Sequence, residues 1–217
     1  MSDTQILPEK SGWANRRVPL IILGSLVLVI VLSTLLFRAA VLGHVNLPAL
    51  LGTKNRGVLI TPPQRLSELP ITFANGNAFE FGKLPRQWTI LIPVGQSCDE
   101  ACAQTLYLTR QIHIAQGKNT NRIRRYVLTT ALPLDAAFEQ LLQKEHAKTQ
   151  VLKADPAAFD EFFAKTGMPQ PLREKAYFIV DPEGWVMMYY TPKHDFKAVM
   201  ADLKFLLGNS HEQEGGN

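Results

Sequence analysis

From Val18 to Phe37 the chain runs through twenty residues without a charge, VPLIILGSLVLVIVLSTLLF. At 1.5 Å per residue a helix of that length matches a hydrocarbon core of about 30 Å. It lacks the polar stripe of a soluble core helix, and Arg38 interrupts the small-residue pattern that would mark a cleaved leader. The run therefore predicts a retained transmembrane helix. Residues 38–69 then mix Gly, Pro and polar residues without a sustained period and read as an extended lead-in, stiffened by Pro62 and Pro63. Residues 71–81, ITFANGNAFEF, alternate around Asn75-Gly76 and predict a small hairpin.

The remaining pattern alternates buried strands with amphipathic helices. Residues 88–94, WTILIPV, form a short apolar run closed by Gly95, as for a strand covered on both faces. A helix follows over 99–117, then a strand over 123–132, a helix over 134–146, a brief strand over 149–153, and a helix opened by Asp155-Pro156 that runs to Gly167. Residues 176–180 and 185–190 are strands separated by the turn signature Asp181-Pro182-Glu183-Gly184, and 195–207 is a closing amphipathic helix. Successive β-α units ending in a β-hairpin and a helix predict an α/β fold of thioredoxin-like order: a mixed β-sheet flanked by helices, with an N-terminal hairpin, behind one N-terminal transmembrane helix. The corresponding division is 1–17 cytoplasmic, 18–37 transmembrane, 38–69 lead-in, 70–208 thioredoxin-like domain, and 209–217 a disordered tail.

Charge refines the picture at the membrane. Lys10, Arg16 and Arg17 precede the apolar run and favour a cytoplasmic N-terminus, which would place the domain on the far side. The formal charge of +4 is local: residues 1–57 hold six Lys/Arg against two Asp/Glu, leaving 17 of each for the rest. A neutral domain argues against a nucleic-acid partner. The cluster Arg122, Arg124 and Arg125 reads as a solvated strand entry.

Cys98 and Cys102 are the two cysteines, in GQSCDEACAQ, between the first buried strand and its helix, where open α/β sheets place reactive groups. On a helix, positions i and i+4 share a face with Cα atoms about 6 Å apart, within disulfide reach. Three readings stay open: a static disulfide, a thiol redox pair, and a soft-metal site suited to Cu(I).

With these features in place, residues from about Gly57 to Leu207 resemble the Sco/SenC family of copper-binding cytochrome c oxidase assembly proteins. The resemblance rests on an anchor, paired prolines in the lead-in, a Cys-x-x-x-Cys after the first core strand, and a late strand ending in Asp-Pro-x-Gly. NRGVLITPP and RQIHIAQGKNTNRIRRYVL are similar to small Sco-related transmembrane proteins of proteobacteria. The resemblance implies a membrane-anchored accessory factor in oxidase assembly that uses Cys98 and Cys102 for thiol redox or weak copper handling. It further implies cytochrome c oxidase subunits or copper chaperones as partners, and a periplasmic domain at the bacterial inner membrane. A general thiol-disulfide oxidoreductase, or a scaffold with a structural disulfide, are the alternatives.

The chain departs from the family at two places. Asp99 and Ala103 stand where the family has Pro after each cysteine, and PLREKAYFIVDPEG lacks the His that supplies the third copper ligand. His113, eleven residues beyond Cys102, would lie about 16 Å along the helix. His44 is expected beside the membrane, His211 in the tail, and His146 at a helix end as a surface or C-terminal residue. His194, after the last strand, is the remaining candidate.

Overall fold

The computed structural model describes residues 13–41, 55–168 and 175–210. The chain forms two compact units that divide between Lys54 and Asn55. In the first, helix α1 spans Trp13–Val41, and its stretch Arg17–Ala39 is long and apolar enough to cross a membrane. The hydroxyls of Ser25, Ser33 and Thr34 donate to carbonyls of Ile22, Ile30 and Ile30 in the preceding turn. These three hydroxyls thus carry no unpaired donor toward lipid.

The second unit is a seven-stranded sheet covered on both faces. Its strands are β1 (Val58–Arg65), β2 (Ile71–Phe73), β3 (Trp88–Val94), β4 (Ile123–Thr129), β5 (Gln150–Ala154), β6 (Tyr177–Val180) and β7 (Trp185–Tyr190). The spatial order is β1-β7-β6-β3-β4-β5-β2. β3, β4 and β5 are parallel, whereas β6, β7 and β1 continue antiparallel on one side and β2 closes the other against β5. The helices are α2 (Glu100–Ala115), α3 (Ala136–Glu145), α4 (Pro156–Ala164) and α5 (Phe196–Asn209).

Every residue of β3 is buried, as its unbroken apolar sequence requires. Alternation sends Leu91 into a core shared with the phenylalanines of α4, and Ile90 and Ile92 into a second core under α2, α3 and α5. Each domain helix opens on an aspartate, Asp99, Asp135, Asp155 or Asp195, whose carboxylate accepts from backbone N–H groups of the first turn. Such caps are worth about 1 kcal/mol each.

Two sequence expectations change, and the small hairpin is present. The lead-in over 38–69 is partly a strand: β1 pairs with β7, and Arg65 lies 4.3 Å over the Trp185 ring, so the sheet begins at Val58 rather than at residue 70. Pro62 and Pro63 hid this strand because proline removes ladder donors, a cost tolerated at a sheet edge. The hairpin over 71–81 is short. Gly76 turns the chain at φ 85° and one bridge joins Thr72 to Ala78, while β2 makes its ladder with β5 and Phe79 and Phe81 enter the core.

The arginine cluster is not a solvated entry either. Arg122 donates to the Leu207 and Ser210 carbonyls at the end of α5, Arg124 lies over the Phe81 ring, and Arg125 is buried beneath α2. Alternation along β4 separates the latter two onto opposite faces. The tail read as disordered and the leading residues 1–12 fall outside the described residues, as does His44.

Candidate functional site

Gly95 to Asp99 leave the carboxyl end of β3 and turn into α2. Cys98 sits in this turn and Cys102 in the first turn of the helix, with Cα atoms 5.2 Å apart, and the two are joined by a disulfide. Both are half-buried against the core beneath α2. Asp99 stands between them as the N-cap: its carboxylate accepts from the Cys102 N–H at 2.8 Å, and its carbonyl accepts from the Ala103 N–H at 2.9 Å. Asp99 therefore occupies the Cys102 amide and brings a negative charge to the same turn, beside Glu100.

The turn is held from β4. Gln96 donates from its side chain to the Pro133 carbonyl at 3.0 Å, and its own carbonyl accepts from the Asp135 N–H at 3.0 Å. The cysteines thus lie in the crevice between two successive β-α connections, on rigid supports.

Strand direction decides what else shares this end of the sheet. β6 runs against β3, β7 against β6, and β1 against β7. The carboxyl end of β3 is consequently the same sheet end as the amino terminus of β1, where the chain enters the domain. That entry is clamped. The buried Asp202 carboxylate of α5 accepts from the N–H groups of Arg56 and Gly57 and from the Tyr190 hydroxyl, with shortest contacts of 2.8 Å to each. Burial and the Asp202 carboxylate push the Tyr190 hydroxyl well above the usual phenol range.

The histidines do not gather at the cysteines. His194 shares this end, but its Nδ1 accepts from the Thr191 N–H at 3.0 Å and its ring meets Tyr190 edge-on. His113 is at the far end of α2, where Nε2 donates to the Thr120 and Ile123 carbonyls. His146 caps the C-terminus of α3, as its place at a helix end implied, but is 3 % exposed and so not a surface residue. Burial, followed by the charges of Arg125 and Arg110, pushes it down to about 4. His211 and the segment 169–174, which leads toward β6, lie outside the described residues. Among the described residues no three His, Cys, Asp or Glu side chains converge as a metal site. In the disulfide form the sulfurs offer no thiolate; reduced, they would supply two.

Residues 88–210 match the family model of the transmembrane-like, thioredoxin-like C-terminal domain. The chain belongs to this family. Its fold is Sco/SenC-like. The copper-bound ScoI of Arabidopsis thaliana matches with a TM-score of 0.51 at 13% identity, over 65% of this chain and 97% of the other. Copper-bound yeast Sco1 matches with a TM-score of 0.54 at 14% identity, over 76% and 100%. Apo Sco1 of Thermus thermophilus matches with a TM-score of 0.51 at 17% identity, over 71% and 98%. At such identities the likeness concerns the fold. No curated protein sequence matches the chain.

Proposed function

We propose that this family member is a membrane-anchored thiol-disulfide factor of cytochrome c oxidase assembly, acting through Cys98 and Cys102 as a redox pair. The observation that carries the reading is the placement of the disulfide: half-buried, at a helix N-terminus, and at the sheet end where the tether enters. A static brace is a poor use of this bond, because a short loop constrains the unfolded chain least. The basic residues before α1 support a cytoplasmic N-terminus and a periplasmic domain, where disulfides persist. The yeast and Arabidopsis structures hold copper, and a reduced Cys98 and Cys102 would offer Cu(I) two soft ligands, a donor set suited to weak handling rather than storage. Membrane-bound oxidase subunits or copper chaperones are the expected partners.

In the thiol reaction, a thiolate of the reduced pair attacks a client disulfide and releases one client sulfur as a thiolate. The second cysteine then displaces the other, so the client gains two electrons and its thiols two protons, and the Cys98–Cys102 bond forms. An external dithiol donor restores the pair. The test is the reduction potential of the full chain in detergent, with an anaerobic Cu(I) titration of the reduced form. A potential between about −270 and −180 mV is expected, with weak Cu(I) binding that disappears in Cys98→Ser with Cys102→Ser. A potential below about −300 mV and no Cu(I) binding would mark the bond as structural.

A further inference from the structure

Opposite the disulfide, at the end where β4 begins and α2 and α3 finish, two adjoining cavities of about 440 and 340 Å³ share His113, Thr120, Arg125 and Lys148 in their walls. Volumes of this size fall in the range of small-ligand pockets, about 300–1,000 Å³. Arg125 is the deepest charge, 6 % exposed. Its Nη2 donates to the Leu106 carbonyl and to Thr109 Oγ1, both at 2.9 Å, but its Nε is buried without an acceptor. No carboxylate forms an ion pair with it among the described residues. Three further buried polar atoms on these walls also lack partners, Arg124 Nε, Thr149 Oγ1 and His146 Nδ1.

A buried guanidinium without a counter-charge costs several kcal/mol, and orphaned polar atoms add to it. The surroundings worsen the imbalance. Burial first, then the neighbouring charge of Arg110, pushes the guanidinium down to about 10. Lys148 and Lys144 stand on the walls, with Glu145 the one acid lining either cavity.

We propose that this cleft binds a phosphate-type oxyanion, with Arg125 as its buried counter-charge and Thr149, His146 and Lys148 around it. Arg110, Arg124, Arg125, Lys144 and Lys148 exceed the charge that Glu145 offsets, and a doubly charged tetrahedral group reduces that excess while accepting from several directions. Arg125 Nε–H and the Thr149 hydroxyl are ready donors, and a neutral His146 donates from Nδ1 in one tautomer. Arginine is suited to this role because its planar donors match phosphate oxygens. The group can come from soluble phosphate or from the phosphomonoester of a lipid headgroup. The chemistry is shared.

The experiment uses the full chain in a neutral detergent and follows the Arg125 Nε–H resonance and the Tm at constant ionic strength. Inorganic phosphate is one arm and short-chain phosphatidate the other. Saturable shifts of the resonance with a rise in Tm are expected. A response to phosphate assigns a soluble source, and a response to phosphatidate alone assigns a lipid one. Arg125→Gln should weaken binding about ten- to a hundredfold. Because that change touches the core, Lys148→Gln on the exposed rim is the second variant, expected to weaken binding about two- to fivefold. An unmoved Arg125 resonance in both arms, or affinity unchanged in Lys148→Gln and in folded Arg125→Gln, would overturn the proposal.

Discussion

Asp202 accepts three hydrogen bonds at the point where the tether becomes the domain, so its loss should be felt more than that of a typical surface acid. Asp202→Ala leaves the Arg56 and Gly57 amides and the Tyr190 hydroxyl without their acceptor. A loss of about 2–4 kcal/mol is expected in urea unfolding. Gly57→Ala tests the same junction by packing: an added methyl would sit 2.7 Å from Tyr190 ring carbons, and about 1–3 kcal/mol should be lost. His146 contributes to the acid limb, alongside His113, which burial also pushes down. The folded value of His146, near 4, lies below the unfolded 6.5, so the unfolded chain binds the extra proton first. Stability is intact above 6.5 and falls as the pH drops toward 4, by up to about 3 kcal/mol. His146→Gln should flatten that part of a pH-resolved denaturation series. At Asp99, replacement by Ser keeps an N-cap but removes the charge beside the cysteines. Alkylation of the reduced pair at neutral pH should quicken about threefold, since a carboxylate opposes thiolate formation.

Among elements, β1 separates two boundaries that can be tested directly. A chain beginning at Asn55 keeps β1 and the Asp202 clamp and should give a cooperative unfolding transition. One beginning at Pro70 exposes the β7 edge and should aggregate. The contrast marks where sequence pattern was sufficient. Strands β3 to β7 were legible as short apolar, sheet-favouring runs and helices α2 to α5 as apolar periods opened by an aspartate, all local signals. β1 was not, since Pro62 and Pro63 mimic a linker and the strand is specified by β7, far along the chain. That Cys98 and Cys102 can be bonded was legible from their spacing. The burial of His146 and Arg125 was hidden, because nothing local to KEHAK or RIRRY reveals that α2 and α3 end over the start of β4.

For the molecule as a whole, residues 42–54 link α1 to the domain. On the proposed function, this connection sets the effective concentration of the cysteines at a membrane-held client. Inserting about twenty Gly/Ser residues there should leave the potential of Cys98–Cys102 unchanged and lower the rate of client reduction in membranes, as the effective concentration falls. An unchanged rate would show that the client is not held at the membrane. The Asp202 clamp has a mechanical meaning too. Any pull transmitted from the bilayer reaches the fold first at Arg56 and Gly57, and a carboxylate anchored in α5 passes that load to a helix instead of to the edge strand. Tension on the tether is thereby shared with the body of the domain before β1 can begin to unzip from β7.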